Sequence, residues 1–132
     1  DQWKSHGVEQ GKEFAILTDE VTRAWSGMST RQYKNLKGLK KENLRDNMST
    51  LELALNMLAE ATTTELTKAA NPNGLSENRK VAQEGGTIAG NARKEIEERT
   101  GQPVVTSQNA KQLQNLVTGL IEGVVVKEDD KE

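Results

Sequence analysis

The chain has 132 residues, enough for one domain and short for two. Apolar residues make up 33% and aromatics 3%, so a core must come from aliphatic side chains and alanine, which suits packed helices better than a β-sandwich. The absence of cysteine excludes disulfides and thiolate metal sites. A net charge of -2 with 29% charged residues leaves partner choice to how the charge is distributed.

The first seventeen residues mix polar, glycine and apolar types, and Phe14 to Leu17 read as a short strand or extended lead-in. Thr18 or Asp19 is a candidate N-cap for a helix that carries Val21, Ala24 and Trp25 and stops at Gly27. Ser29 and Gln32 have capping-box spacing, and the short helix after them turns Tyr33 and Leu36 inward and ends at Gly38. A second short helix is expected over Lys40 to Asn47, anchored by Leu44.

Ser49 and Glu52 repeat the capping box. Behind them Leu51, Ala54, Leu55, Leu58, Ala61 and Leu66 recur about once per helical turn, and this run is the expected inward stripe of a long helix. Asn71-Pro72-Asn73-Gly74 should end it, because Pro72 has no N–H to donate.

Ser76 is the expected cap of the next helix, with Val81, Gly85, Ile88, Ala92 and Ile96 inward. That stripe keeps phase across Gly85 and Gly86, so the helix is expected to run on or bend gently, with Gly85, Gly86 and Gly90 letting another helix approach closely. Thr100-Gly101-Gln102-Pro103 closes it, and Val104 and Val105 form an extended link. A last helix should start at Ser107 with Ala110, Leu113, Val117 and Leu120 on one face. Val124 to Val126 read as a strand or ordered tail, and the acidic residues 127–132 as solvated.

The expected fold is therefore mainly α, a single domain over residues 1–132 with four to six helices and short extended segments near both ends. The chain opens on Asp1 rather than Met, which fits a piece of a longer protein. No apolar run reaches the ~20 residues of a membrane span, and a cytoplasmic protein is expected.

Chemistry-bearing patterns are sparse. His6 is the single histidine, placed near an end expected to be mobile and without a sequence-local partner for metal or acid–base work. Glu95, Glu97 and Glu98 read as a solvated helical face. Gly85-Gly86-Thr87-Ile88-Ala89-Gly90 lacks both the spacing and the preceding strand of a dinucleotide fingerprint. No catalytic, metal or cofactor site follows, and a small hydrolytic enzyme is the disfavoured reading.

Charge gives the strongest site-like signal. Arg31, Lys34, Lys37, Lys40, Lys41 and Arg45 are six bases facing one acid, Glu42, whereas residues 122–132 hold five acids and two bases. Lys34, Lys37 and Lys41 fall at helical steps, a pattern suited to phosphate backbones through counterion release as well as to an ordinary solvated face.

The run from Arg31 to Glu65, RQYKNLKGLKKENLRDNMSTLELALNMLAEATTTE, resembles the C-terminal region of the bacterial DNA damage-inducible protein D family and related phage antirepressor proteins. The marks are Lys37-Gly38-Leu39-Lys40-Lys41, Met48-Ser49-Thr50-Leu51-Glu52-Leu53 and Asn56-Met57-Leu58-Ala59, with weaker continuations at Asn78 to Ala92 and Thr100 to Val104. The resemblance implies a helical domain that follows an antirepressor-type domain in relatives. It also implies a place in the DNA-damage response, including an effect on the recombinase that coats single-stranded DNA, and it supplies no catalytic residues. The leading expectation is a regulatory interaction domain with a protein partner or self-association, and single- or double-stranded DNA as a secondary partner. A homo-oligomerisation module closing through Gly85 and Gly90 is the alternative.

Overall fold

The computed structural model describes residues 2–110. Among them are five α-helices and no strand: α1 (Gln2–Ser5), α2 (Lys12–Ser26), α3 (Thr30–Leu36), α4 (Thr50–Ala70) and α5 (Gly74–Thr100), with a 3-10 turn at Arg45–Asn47. The expected last helix is described only at its start, at Ala110; Leu113, Val117, Leu120, the 124–126 segment and the acidic tail 127–132 lie outside the described residues.

The strand expected at Phe14 to Leu17 is instead the first half of α2, which opens at Lys12. Phe14, Leu17, Val21 and Trp25 continue one helical step of three or four residues, so the apolar patch and the later stripe are a single face. Asp19 is not the N-cap of α2. Its carboxylate accepts from the Thr30 N–H at 2.7 Å and from Arg23 Nε at 2.8 Å, and so serves the first turn of α3. Burial pushes the Asp19 carboxyl up, but the hydrogen bonds from Arg23 and Thr30 outweigh it and hold the group below its ordinary value. Gly27 ends α2 in the left-handed region, φ 81°.

Both expected capping boxes are present, Ser29 with Gln32 and Ser49 with Glu52. The helix expected over Lys40 to Asn47 reduces to the turn Arg45–Asn47. Asn71 closes α4 in the left-handed conformation at φ 50°, and α5 begins at Gly74, two residues before the expected Ser76 cap.

α5 runs unbroken through Gly85 and Gly86 and forms the spine of the fold. It packs along both α2 and α4, which touch each other only sparsely. The reason is local. A Cβ built on Gly85 would fall 2.1 Å from Thr63 Oγ1, one on Gly86 2.4 Å from Ala24 Cβ, and one on Gly90 2.6 Å from the Ala24 carbonyl oxygen. The three glycines thus let α4 approach on one side and α2 on the other, at distances that any side chain would forbid.

This close approach re-orients α4. Its buried line is Glu52, Leu55, Ala59, Thr63 and Thr67, whereas Leu51 and Leu58 of the expected stripe are each 41% exposed. Ile88, expected inward on α5, is 47% exposed, while Ala82, Gly85, Gly86, Ala89 and Gly90 are buried. At Gly85 and Gly86 the small side chains of Thr63 and Ala24 meet α5, because bulky ones there would hold the axes apart.

Candidate functional site

Where α2, α3 and α4 meet, Trp25 and Tyr33 are fully buried with ring centroids 6.0 Å apart. The Trp25 indole donates to Asn56 Oδ1 at 3.1 Å, and its carbonyl accepts from Arg93 Nε at 2.7 Å, which ties α2 to both long helices. Arg93 in turn pairs with Glu97 at 2.7 Å, and Glu97 Oε2 takes the Val104 N–H at 3.0 Å.

Beside Tyr33 lies a buried charge pair. Lys37 Nζ is 2.9 Å from Glu52 Oε1, and neither side chain has any exposed surface. Glu52 also accepts from the Tyr33 hydroxyl and, at 3.1 Å, from the Ser49 N–H. Lys37 donates further to the Gln108 carbonyl at 2.5 Å and sits 5.7 Å from the centre of the Tyr33 ring. Burial and donation to Glu52 push the Tyr33 hydroxyl far above its ordinary value of 10.0. Within this cluster the buried ammonium and carboxylate each have their partners.

Lys37 therefore leaves the expected basic set. Arg31, Lys40 and Lys41 are exposed and Lys34 is half-buried, all without an ion-pair partner among the described residues. Arg45 is exposed and reaches Glu60 at 3.2 Å. Arg31 and Lys34 belong to α3, and Lys40, Lys41 and Arg45 follow them in the segment before α4. Gly85, Gly86 and Gly90 are no site for a second chain, since their face is filled by α2 and α4 of the same molecule.

The end that carries His6 is held in place. The His6 carbonyl accepts from the Gly74 N–H at 2.9 Å and from Asn78 Nδ2 at 3.2 Å, and its ring nitrogen Nδ1 lies 2.6 Å from the Gln2 carbonyl oxygen. No group of His, Cys, Asp or Glu suited to a metal ion exists among the described residues, and none of the described helices is long and apolar enough to cross a membrane. An open groove of about 710 Å³ runs between α2 and α4, lined by Trp3, Val21, Met48, Thr64 and Lys68 among others.

A family model described as the DinD C-terminal domain matches residues 1–115. The chain belongs to that family. Comparison with curated proteins and with solved structures gives no significant match. The DinD C-terminal domain fold, in this chain, is thus a glycine-lined α5 spine with a buried Tyr33–Lys37–Glu52 corner. Sequence reasoning missed Glu52 as a buried anchor: its capping role was visible, and so was its place three residues before Leu55, in step with the inward line.

Proposed function

We propose that this domain is a regulatory interaction module of a DNA-damage-inducible protein, and that it works by contact with another macromolecule rather than by catalysis. The observation that carries the reading is the basic rim: Arg31, Lys34, Lys40 and Lys41 stand in one short stretch with no carboxylate partner among the described residues, and Arg45 stands beside them. Long side chains of one sign in one stretch of the chain, without an ion-pair partner among the described residues, suit an acidic protein face first and a phosphate backbone second. Membership in the DinD C-terminal domain family supports a regulatory role.

The test is binding of the whole chain to single- and double-stranded DNA across a salt series, beside a variant with Arg31, Lys34, Lys40, Lys41 and Arg45 all changed to Glu. Nucleic-acid contact predicts affinity that falls steeply with salt, with a log–log slope of about -0.9 per phosphate contacted on duplex DNA, and no binding by the variant. A parent that binds neither DNA at low salt rules out the nucleic-acid form and leaves contact with an acidic protein. A charge-reversed variant that still binds equally well removes the rim from the proposal.

A further inference from the structure

The turn between α4 and α5 brings together the parts of a reaction that needs no enzyme. Of the 11 glycines only Gly74 follows an asparagine, Asn73. With no side chain on the second residue, its backbone nitrogen can swing onto the side-chain amide of the first, which makes asparagine labile there. The Asn73 side chain makes no capping hydrogen bond at the start of α5. What holds the pair is the segment 2–8, laid across the turn. The Gly74 N–H donates to the His6 carbonyl at 2.9 Å. Asn78 Nδ2, on a buried side chain, donates to the same carbonyl at 3.2 Å and to the Gly74 carbonyl at 2.7 Å. Gly7 lies against the reacting group itself: a Cβ built there would fall 2.8 Å from Asn73 Oδ1 and 3.2 Å from the Gly74 nitrogen. Closing a ring would need the Gly74 nitrogen and the Asn73 Cβ on one side of the Cα–C bond, and the Asn73 ψ of 124° turns the nitrogen away.

We propose that Asn73–Gly74 is a self-modifying site, and that the docked segment 2–8 is the guard that holds the reaction off. Once the segment lifts, the Gly74 nitrogen loses its proton to solvent and bonds to Asn73 Cγ. The Cγ–Nδ2 bond breaks, the amide nitrogen takes up a proton and leaves as ammonia, and a cyclic imide remains. Water then opens the imide. Cleavage of the new Cγ–N bond gives aspartate, and cleavage at the Asn73 backbone carbonyl gives isoaspartate, so the balance is amide plus water to carboxylic acid plus ammonia. Both products place a negative charge beside His6 and Gly7. Isoaspartate also routes the main chain through the side-chain carbon, which moves the Gly74 N–H from its place opposite the His6 carbonyl. The guard is fastened lightly enough to lift without general unfolding. α1 is a four-residue helix with no buried residue, and the segment is held mainly by Trp3 edge-on to Phe14 at 5.4 Å, by buried Val8 and by the bonds to the turn. Because the product does not revert to asparagine, each lifting that ends in reaction is recorded in the chain.

The test holds the full chain at mildly alkaline pH for days and follows position 73 by peptide mass spectrometry with fragmentation that separates aspartate from isoaspartate. Amide hydrogen exchange at Gly74 is measured beside it, since the same N–H reports the lifting. Unfolded in urea, the chain should convert at Asn73 and not at Asn71, because Pro72 has no N–H to lose. Folded, it should convert at least about tenfold more slowly. Gly7→Ala, whose methyl meets Asn73 Oδ1, and Trp3→Ala, which removes the ring against Phe14, should raise conversion and Gly74 exchange by the same factor while circular dichroism stays helical. A series in urea below the unfolding transition lifts the segment without any substitution and should trace the same proportionality. No conversion at Asn73 in the unfolded chain would overturn the site. Equal rates folded and unfolded, or faster Gly74 exchange without faster conversion, would overturn the guard. Residues 31–45 take no part in these measurements, so this inference and the function proposed above fail separately.

Discussion

Two buried contacts hold this fold together by opposite means. Along α5 the glycines at 85, 86 and 90 let backbone lie against backbone, and the contact succeeds because side chains are missing. At the α3–α4 corner a lysine, a carboxylate and a phenol are all enclosed, and the contact succeeds because every charge meets a partner. The first region tolerates no added volume; the second tolerates no unbalanced charge. Each therefore has a characteristic way of failing.

The largest effect is expected at the polar corner. Glu52→Ala leaves the Lys37 ammonium buried without its carboxylate and should cost about 3–5 kcal/mol in urea unfolding. Replacing the trio together, Tyr33→Phe with Lys37→Met and Glu52→Leu, should recover most of that loss, since an apolar set of similar volume often matches a buried pair. Failure of the triple variant to recover would mean that the corner is held by more than charge balance. Tyr33 gives an alkaline readout of the same corner. Its folded pKa is raised, so its contribution is complete below about pH 10 and is lost as pH rises beyond it. As the chain has a single tyrosine, absorbance of tyrosinate should appear only as the helical signal collapses.

Next comes the glycine face. In an open helix Gly→Ala gains about 1 kcal/mol, but Gly86→Ala here should lose about 1–3 kcal/mol, because the new methyl meets Ala24 Cβ and the Val21 carbonyl. The sign of the change separates a packed contact from a merely helical one. Thr87→Ala, on the exposed side of the same helix, should be neutral or mildly stabilising. Ser29→Ala removes the acceptor of the Gln32 N–H and should cost about 1 kcal/mol, read as a lower midpoint. Arg45→Ala should move stability least, by under about 1 kcal/mol, as it breaks only an exposed pair with Glu60.

Much of the architecture was legible in the sequence, and the same contrast explains what was not. Both capping boxes, the stop at Gly27, the Pro72 turn and the continuity of α5 follow from local chemistry, and the structure contains them all. The facing of α4 does not. Leu51 and Leu58 look like core on hydrophobicity alone, but the glycine face of α5 accepts small residues, so Ala59 and Thr63 turn in beside Leu55 while Leu51 and Leu58 turn out. In the basic stretch, the inward turn of Lys37 depended on a carboxylate fifteen residues away that sequence reading assigned to a cap. Asp19 shows the same limit: a residue with capping chemistry was found, but the helix it serves is the following one.

The position of α5 also bears on the order of assembly. α4 and α5 are joined by the short Asn71–Asn73 connection, so their mutual contact closes a small loop, whereas α2 must reach Gly86 and Gly90 from about sixty residues upstream. The helical hairpin should accordingly zip first and α2 arrive late, with contacts in the hairpin already formed at the rate-limiting barrier and those of Ala24 still open. A substitution at Gly86 would then speed unfolding far more than it slows folding.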